Sequence, residues 1–119
     1  MAVVNQIRIV IPKNTVNEGS GFYCTTTYFD RDTKAVEVAA TTKWRVDCLT
    51  TNTKVLDWTT LGTSVSTHTV HVLSTYNKIE NERNLVETKQ LSFKTTGDSS
   101  EQFIETLTYR VKNIKNYTP

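Results

Sequence analysis

Apolar and polar residues alternate with period two along most of this chain, the pattern of pleated strands buried on one face. It is clearest in Thr42 to Thr60, TKWRVDCLTTNTKVLDWTT. Trp44, Val46 and Cys48 alternate with Arg45, Asp47 and Leu49; after the polar run Thr50 to Thr53, Leu56 and Trp58 alternate with Val55, Asp57 and Thr59. The pair predicts a hairpin with a tryptophan on each strand. Asn52 without a glycine beside it favours a loop of four or five residues over a two-residue turn.

The same alternation continues on either side. Val3 to Ile11 places Val3, Ile7, Ile9 and Ile11 on one face and stops at Pro12, as an edge strand would. Lys13 to Gly21 reads as a loop. Phe22 to Phe29 puts Phe22, Cys24, Thr26 and Tyr28 inward and ends in the polar turn Asp30 to Asp32, while Ala35 to Ala40 is either a short strand or an extended connection. Leu61 and Gly62 interrupt the pattern. Ser64 to Leu73 is a strand whose inner face is either His68, Val70 and Val72 or Val65, Thr69 and Leu73. Tyr76 to Asn84 is the one helix-like window: Asn77 and Glu80 have capping-box spacing and Ile79 points inward, which suits one short turn. In Leu85 to Thr96, Leu91 and Phe93 are in phase but Val86 is not, which suggests a bulge. After the polar loop Gly97 to Glu101, Phe103 to Lys112 turns Phe103, Leu107, Tyr109 and Val111 inward, with Glu105 intruding.

Seven or eight short strands without repeat or linker predict an all-β chain of one domain, residues 1–119, folded as an antiparallel β-sandwich of immunoglobulin-like type. The expected core is Phe22, Cys24, Trp44, Val46, Cys48, Trp58, Leu91, Phe93, Leu107 and Tyr109. Trp44 falls on the third predicted strand, where such sandwiches bury a tryptophan. Cys24 and Cys48 fall on the second and third, whereas the immunoglobulin disulfide joins the second and sixth, so both read as reduced core thiols.

Composition sharpens this picture. Threonine supplies 22 of the 119 residues, against four glycines and two prolines, which favours extended, half-buried backbone. A net charge of +2, dispersed along the chain, gives no footprint for nucleic acid or an anionic membrane. The first residues, MAVVNQIRIVIP, lack the apolar core of a secretory signal and no window has the length of a membrane span, so synthesis and folding in a cytoplasm are expected.

Candidate chemistry is sparse. His68 and His71 are three apart on a strand, which sends them to opposite faces, away from a common metal ion. Asp30, Asp32 and Asp57, like Asp98 and Glu101, lack the spacing and glycine of a calcium loop. No serine sits in a nucleophile elbow and no glycine-rich phosphate loop is present. These patterns predict no cofactor, no metal and no enzyme. The closing segment YRVKNIKNYTP is different: Arg110, Lys112 and Lys115 supply positive charge while Ile114 and Tyr117 add apolar groups that a free tail does not need. Residues 113–119 therefore read either as the end of a solvated outer face or as a candidate docking tail onto an acidic protein neighbour or its sheet edge.

Three segments, WRVDCLTTNTKVLDWTTL, NKIENERNLVE and YRVKNI, together resemble small structural proteins of tailed bacteriophages. The resemblance implies an immunoglobulin-like virion protein, present in many copies, that contributes contact surface to other virion proteins such as capsid, connector or tail subunits. It carries over no catalytic residue. The expected role is capsid decoration, or a place at the head-to-tail region, and the alternative is an adhesion module recognising a host glycan or protein through loop aromatics, for which Tyr76 and Tyr117 are the candidates.

Overall fold

The computed structural model describes residues 4–96 and 102–114, and these form two β-sheets joined by loops and a single 3₁₀ turn. In chain order the strands are β1 (Gln6–Val10), β2 (Thr15–Asn17), β3 (Phe22–Phe29), β4 (Ala39–Cys48), β5 (Thr53–Val65), β6 (Thr67–Val72), β7 (Val86–Thr96) and β8 (Gln102–Lys112), with the 3₁₀ turn at Ser74–Asn77. A three-stranded sheet has the order β1-β3-β6 and a five-stranded sheet the order β2-β8-β7-β4-β5. All pairings are antiparallel except β2 with β8, which is parallel. No described helix is long and apolar enough to cross a membrane.

The two sheets share one core, an arrangement compatible with a β-sandwich. From the smaller sheet come Ile7, Phe22, Cys24, Tyr28, Val70 and Val72; from the larger, Trp44, Val46, Leu91, Phe93, Tyr109 and Val111. Phe22 meets Tyr109 edge-on across the gap at 5.2 Å between ring centroids, and Trp44 stacks on Phe93 at 6.3 Å. Cys48 is fully buried beneath Glu87, and Leu107 is half-buried against the core. Both cysteines are free thiols, and burial pushes the Cys24 thiol up to about 12.

Local chemistry accounts for most of these elements. The β4–β5 hairpin has a four-residue loop, 49–52, whose Asn52 takes the left-handed conformation (φ 53°) that asparagine tolerates. β1 is an edge strand, as Pro12 requires. For the strand left open by periodicity, β6, the inner face is Val70 and Val72 with His68 half-buried beside them. Ala39 and Ala40 belong to β4, which is longer than the alternation suggests, and Val36 makes an isolated bridge to Phe29.

Four expectations need correction. Trp58 is outside the core. Thirteen residues of β5 face ten of β4, and three register shifts absorb the excess. Trp44 opposes Thr59 and Val46 opposes Leu56, so Arg45 faces two residues, and that extra residue turns Trp58 to the outer surface. Leu61-Gly62 does not end the strand; it is another of these shifts. Gly62 has a reason to be glycine, since a Cβ there would lie 3.1 Å from His68 Cε1. Second, the segment 13–21 contains β2 rather than loop alone. Third, Asn77 does not cap a helix but ends the 3₁₀ turn, with its side chain buried. Fourth, Val86 marks no bulge: β7 pairs with β8 without a register shift from Val86 to Thr96, and the inward positions beside Leu91 are the charged residues Glu87 and Lys89.

Candidate functional site

The C-terminal end of β8, singled out for its basic and apolar residues, borders the short edge strand β2. Register pairs Thr15 with Arg110 and Asn17 with Lys112, and the Glu18 N–H donates to the Lys112 carbonyl at 2.8 Å. Arg110 is exposed and Lys112 half-buried on the same side of the strand. Arg110 lies in a cavity of about 510 Å³ with Asn14, Thr15, Thr88 and Thr108, and Lys112 in one of about 470 Å³ with Lys13, Asn17 and Phe22. Ile114 is 47% exposed and borders a groove of about 440 Å³ lined by Glu18, Gly19, Ser74, Thr75 and Lys78. The structure therefore brings Arg110, Lys112 and Ile114 to one end of the molecule. Lys115 and Tyr117 lie outside the described residues, as do Asp98 and Glu101.

A buried polar network holds this end in shape. The fully buried Glu87 carboxylate accepts the Glu80 N–H at 2.6 Å, the Asn81 N–H at 2.9 Å and the Asn84 amide at 3.0 Å, and the Cys48 thiol lies 3.7 Å away. Lys89, also fully buried, donates from Nζ to the Lys78 carbonyl at 2.8 Å and stands 4.0 Å from Glu87 and 3.9 Å from Glu80. Burial opposes the charge on Glu87, but the donors of Glu80, Asn81 and Asn84, helped by Lys89, more than offset it and hold the carboxyl below its ordinary value. The Tyr109 hydroxyl donates to Asn77 Oδ1 at 2.5 Å, Asn77 Nδ2 donates to the Ser20 carbonyl at 2.6 Å, and the Gly19 N–H donates to the Asn77 carbonyl at 3.0 Å. Burial pushes the Tyr109 hydroxyl up, with Cys48 and Cys24 contributing, so it remains protonated as a donor. Each wall of the Ile114 groove is thus tied to a strand of the core. Among the described residues every buried side-chain nitrogen and oxygen has a partner.

Asn113, the first residue of the expected docking tail, is held in the fold. Asn113 is buried, and its Nδ2 bridges the carbonyls of Glu82 and Asn84, both at 3.0 Å, while its N–H reaches the Leu85 carbonyl at 2.8 Å. It is part of the domain and fastens the loop latched by Glu87.

No family model, curated protein or solved structure matches the chain.

Other candidate residues are dispersed. His71 stacks on the exposed Tyr23 at 4.6 Å on the outside of the smaller sheet. His68 lies on the inside, its Nε2 2.7 Å from Thr42 Oγ1, where burial lowers its pKa. Asp30 caps its own turn by accepting the N–H groups of Asp32 and Thr33. Among the described residues no three histidine, cysteine or acidic side chains converge as metal ligands. Tyr76 is half-buried and packs edge-on to Trp44 at 5.9 Å, so it is not an exposed loop aromatic.

His68 and Glu87, two of the shifted groups, predict how stability follows pH, and the exposed Asp57, also held below its ordinary value by the Trp58 N–H, adds to the acid limb. His68 has a folded pKa below the ordinary 6.5, so its contribution is complete above that value and falls as pH drops through the folded pKa. Glu87 has a folded pKa below the ordinary 4.5, so its contribution persists lower and is lost as the carboxylate protonates. Urea midpoints measured from neutral pH downward should decline in two stages, the first below about 6.5. A His68→Gln variant should lack the first stage and keep the second. A midpoint that rises on acidification contradicts both assignments.

Proposed function

We infer that this protein is a non-enzymatic structural subunit of a tailed-phage virion, made in the host cytoplasm and present in many copies. It decorates the capsid or sits at the head-to-tail region and stabilises the particle by contacts with neighbouring virion proteins. The observation that carries this reading is the half-exposed Ile114 at a rigidly braced groove, flanked on β8 by Lys112 and Arg110. An exposed apolar group held by a saturated hydrogen-bond network is suited to rigid docking, because little ordering entropy is lost on contact. Two of the segments that resemble phage structural proteins, NKIENERNLVE and YRVKNI, supply much of that network: they contain Asn77, Glu80, Asn81, Asn84 and Glu87 on one side and Tyr109 and Asn113 on the other.

The immunoglobulin-like reading draws support from strand order. With β1, β3 and β6 taken as strands A, B and E, and β8, β7, β4 and β5 as G, F, C and C′, β2 becomes a second segment of A that crosses to the other sheet beside G. Trp44 then lies on strand C, and Leu91 stands on strand F in place of a second bridging cysteine.

A subunit that binds only the assembled particle stabilises it by the free energy of that binding at every site. Particles lacking the protein should assemble yet release their genome at lower temperature, and equal thermal release would sink the reading. Truncation separates tail from fold. Removing residues 115–119 should leave the unfolding midpoint of the isolated protein unchanged while lowering incorporation. Removing 113–119 should also destabilise the domain by about 1–3 kcal/mol, because the carbonyls of Glu82, Asn84 and Leu85 lose their donor. Unaltered incorporation of the shorter truncation would remove the tail from the contact.

The adhesion reading retains one specific observation, the 62% exposed Tyr23 stacked on His71. Glycan binding lost in Tyr23→Ala would favour it over particle stabilisation.

A further inference from the structure

The outer surface of the five-stranded sheet contains a like-charge pair that folding alone does not explain. Lys43 on β4 and Lys94 on β7 are direct register partners and therefore project side by side from the same face. Like charges directly opposed across strands weaken a sheet. Among the described residues neither lysine has a carboxylate partner: Arg45 takes Asp47 at 2.7 Å, and Asp57 is engaged by Lys54 and by the Trp58 N–H. Lys94 Nζ lies 4.3 Å from the centre of the Trp58 ring, and the Arg45 guanidinium approaches the same ring at 5.8 Å. On the other side of Lys94 in the register is Ile104, 51% exposed. Lys43, Lys94, Thr41, Thr96 and Gln102 border a groove of about 200 Å³. Two lysines without a carboxylate partner among the described residues thus lie between an outward-turned indole and an exposed isoleucine.

We propose that this face binds an acidic polypeptide segment, with carboxylates meeting Lys43 and Lys94 and an apolar side chain resting on Trp58 or Ile104. Charge complementarity selects the occupant: the cations are unanswered within the described chain, and opposing carboxylates would relieve their mutual repulsion while excluding like-charged partners. A flat, two-lysine surface flanked by apolar side chains suits a polypeptide better than a phosphate backbone, since no continuous basic track extends from it. The site lies on another surface from the Ile114 groove and is independent of the particle reading.

The test uses the full-length protein and a synthetic peptide of glutamates around one phenylalanine, EEEFEEE, with a single-stranded DNA oligonucleotide as the rival polyanion. Titration followed by the Trp58 indole N–H resonance should show saturable, salt-sensitive binding of the peptide. Lys43→Glu places a carboxylate opposite Lys94, so it should lose about tenfold or more in affinity while Tm rises by about 1–4 °C. That opposite movement of binding and stability is what a merely structural lysine would not give. Lys94→Gln should also weaken binding, as a second variant with no new charge. Absence of saturable peptide binding, equal affinity in both variants, a lower Tm for Lys43→Glu, or tighter binding of the oligonucleotide than of the peptide would each overturn the proposal.

Discussion

Glu87→Ala destabilises the domain by about 3–5 kcal/mol, the cost of breaking a buried ion pair from one side. The change removes the acceptor of the Glu80 and Asn81 N–H groups and of the Asn84 amide, and leaves the fully buried Lys89 ammonium on the Lys78 carbonyl with a single carboxylate, Glu80, 3.9 Å away. Lys89→Met costs less, because the Glu87 carboxylate keeps its backbone and amide donors while only the Lys78 carbonyl loses its partner. Urea denaturation of both variants measures the order, and amide hydrogen exchange over residues 78–85 locates the effect. Loop amides in Glu87→Ala should exchange far faster than those of β7. A loss below about 1 kcal/mol, within the range of exposed pairs, would show that the network does not secure the loop.

The two tryptophans should separate just as sharply. Trp44 is 5% exposed and packs against Phe93 and Tyr76, so Trp44→Ala should cost about 3–5 kcal/mol through lost burial and the cavity left behind. Trp58 offers its ring to Lys94 and Arg45 on the outer surface, and Trp58→Ala should cost about 1 kcal/mol or less, the scale of exposed cation–π contacts. Chemical denaturation of the pair distinguishes these values readily. Comparable losses would return Trp58 to a core role.

That contrast also shows what the sequence makes legible. Side-chain alternation is reliable where a strand is regular: β3 buries Phe22, Cys24, Thr26 and Tyr28 and leaves the residues between them exposed or half-buried, and β4 buries Trp44, Val46 and Cys48 with half-buried residues between them. It fails on β5, because each extra residue reverses the phase beyond it and nothing in the string TKVLDWTTLGTSV fixes where the excess is taken up. The candidate surface was legible in part. Arg110, Lys112 and Ile114 stood out by composition, but the Glu87–Lys89 network that positions their neighbours is built from residue types that ordinarily face water. A signal for it existed: Glu87 and Lys89 fall four and two residues before Leu91, in its own phase, and that spacing carries more information than the displaced Val86. β2 had no such signal, since three residues beside a parallel neighbour leave no period to read.

The irregularity of β5 bears on life at high local concentration. This strand is the outer member of its sheet and, at thirteen residues, would offer an unpaired ladder on which another copy could add without limit. Its three register shifts break that ladder into short, kinked runs, and the Lys54–Asp57 ion pair places charge beside the first of them. Two copies brought close together would thereby meet a broken edge that does not template fibre growth.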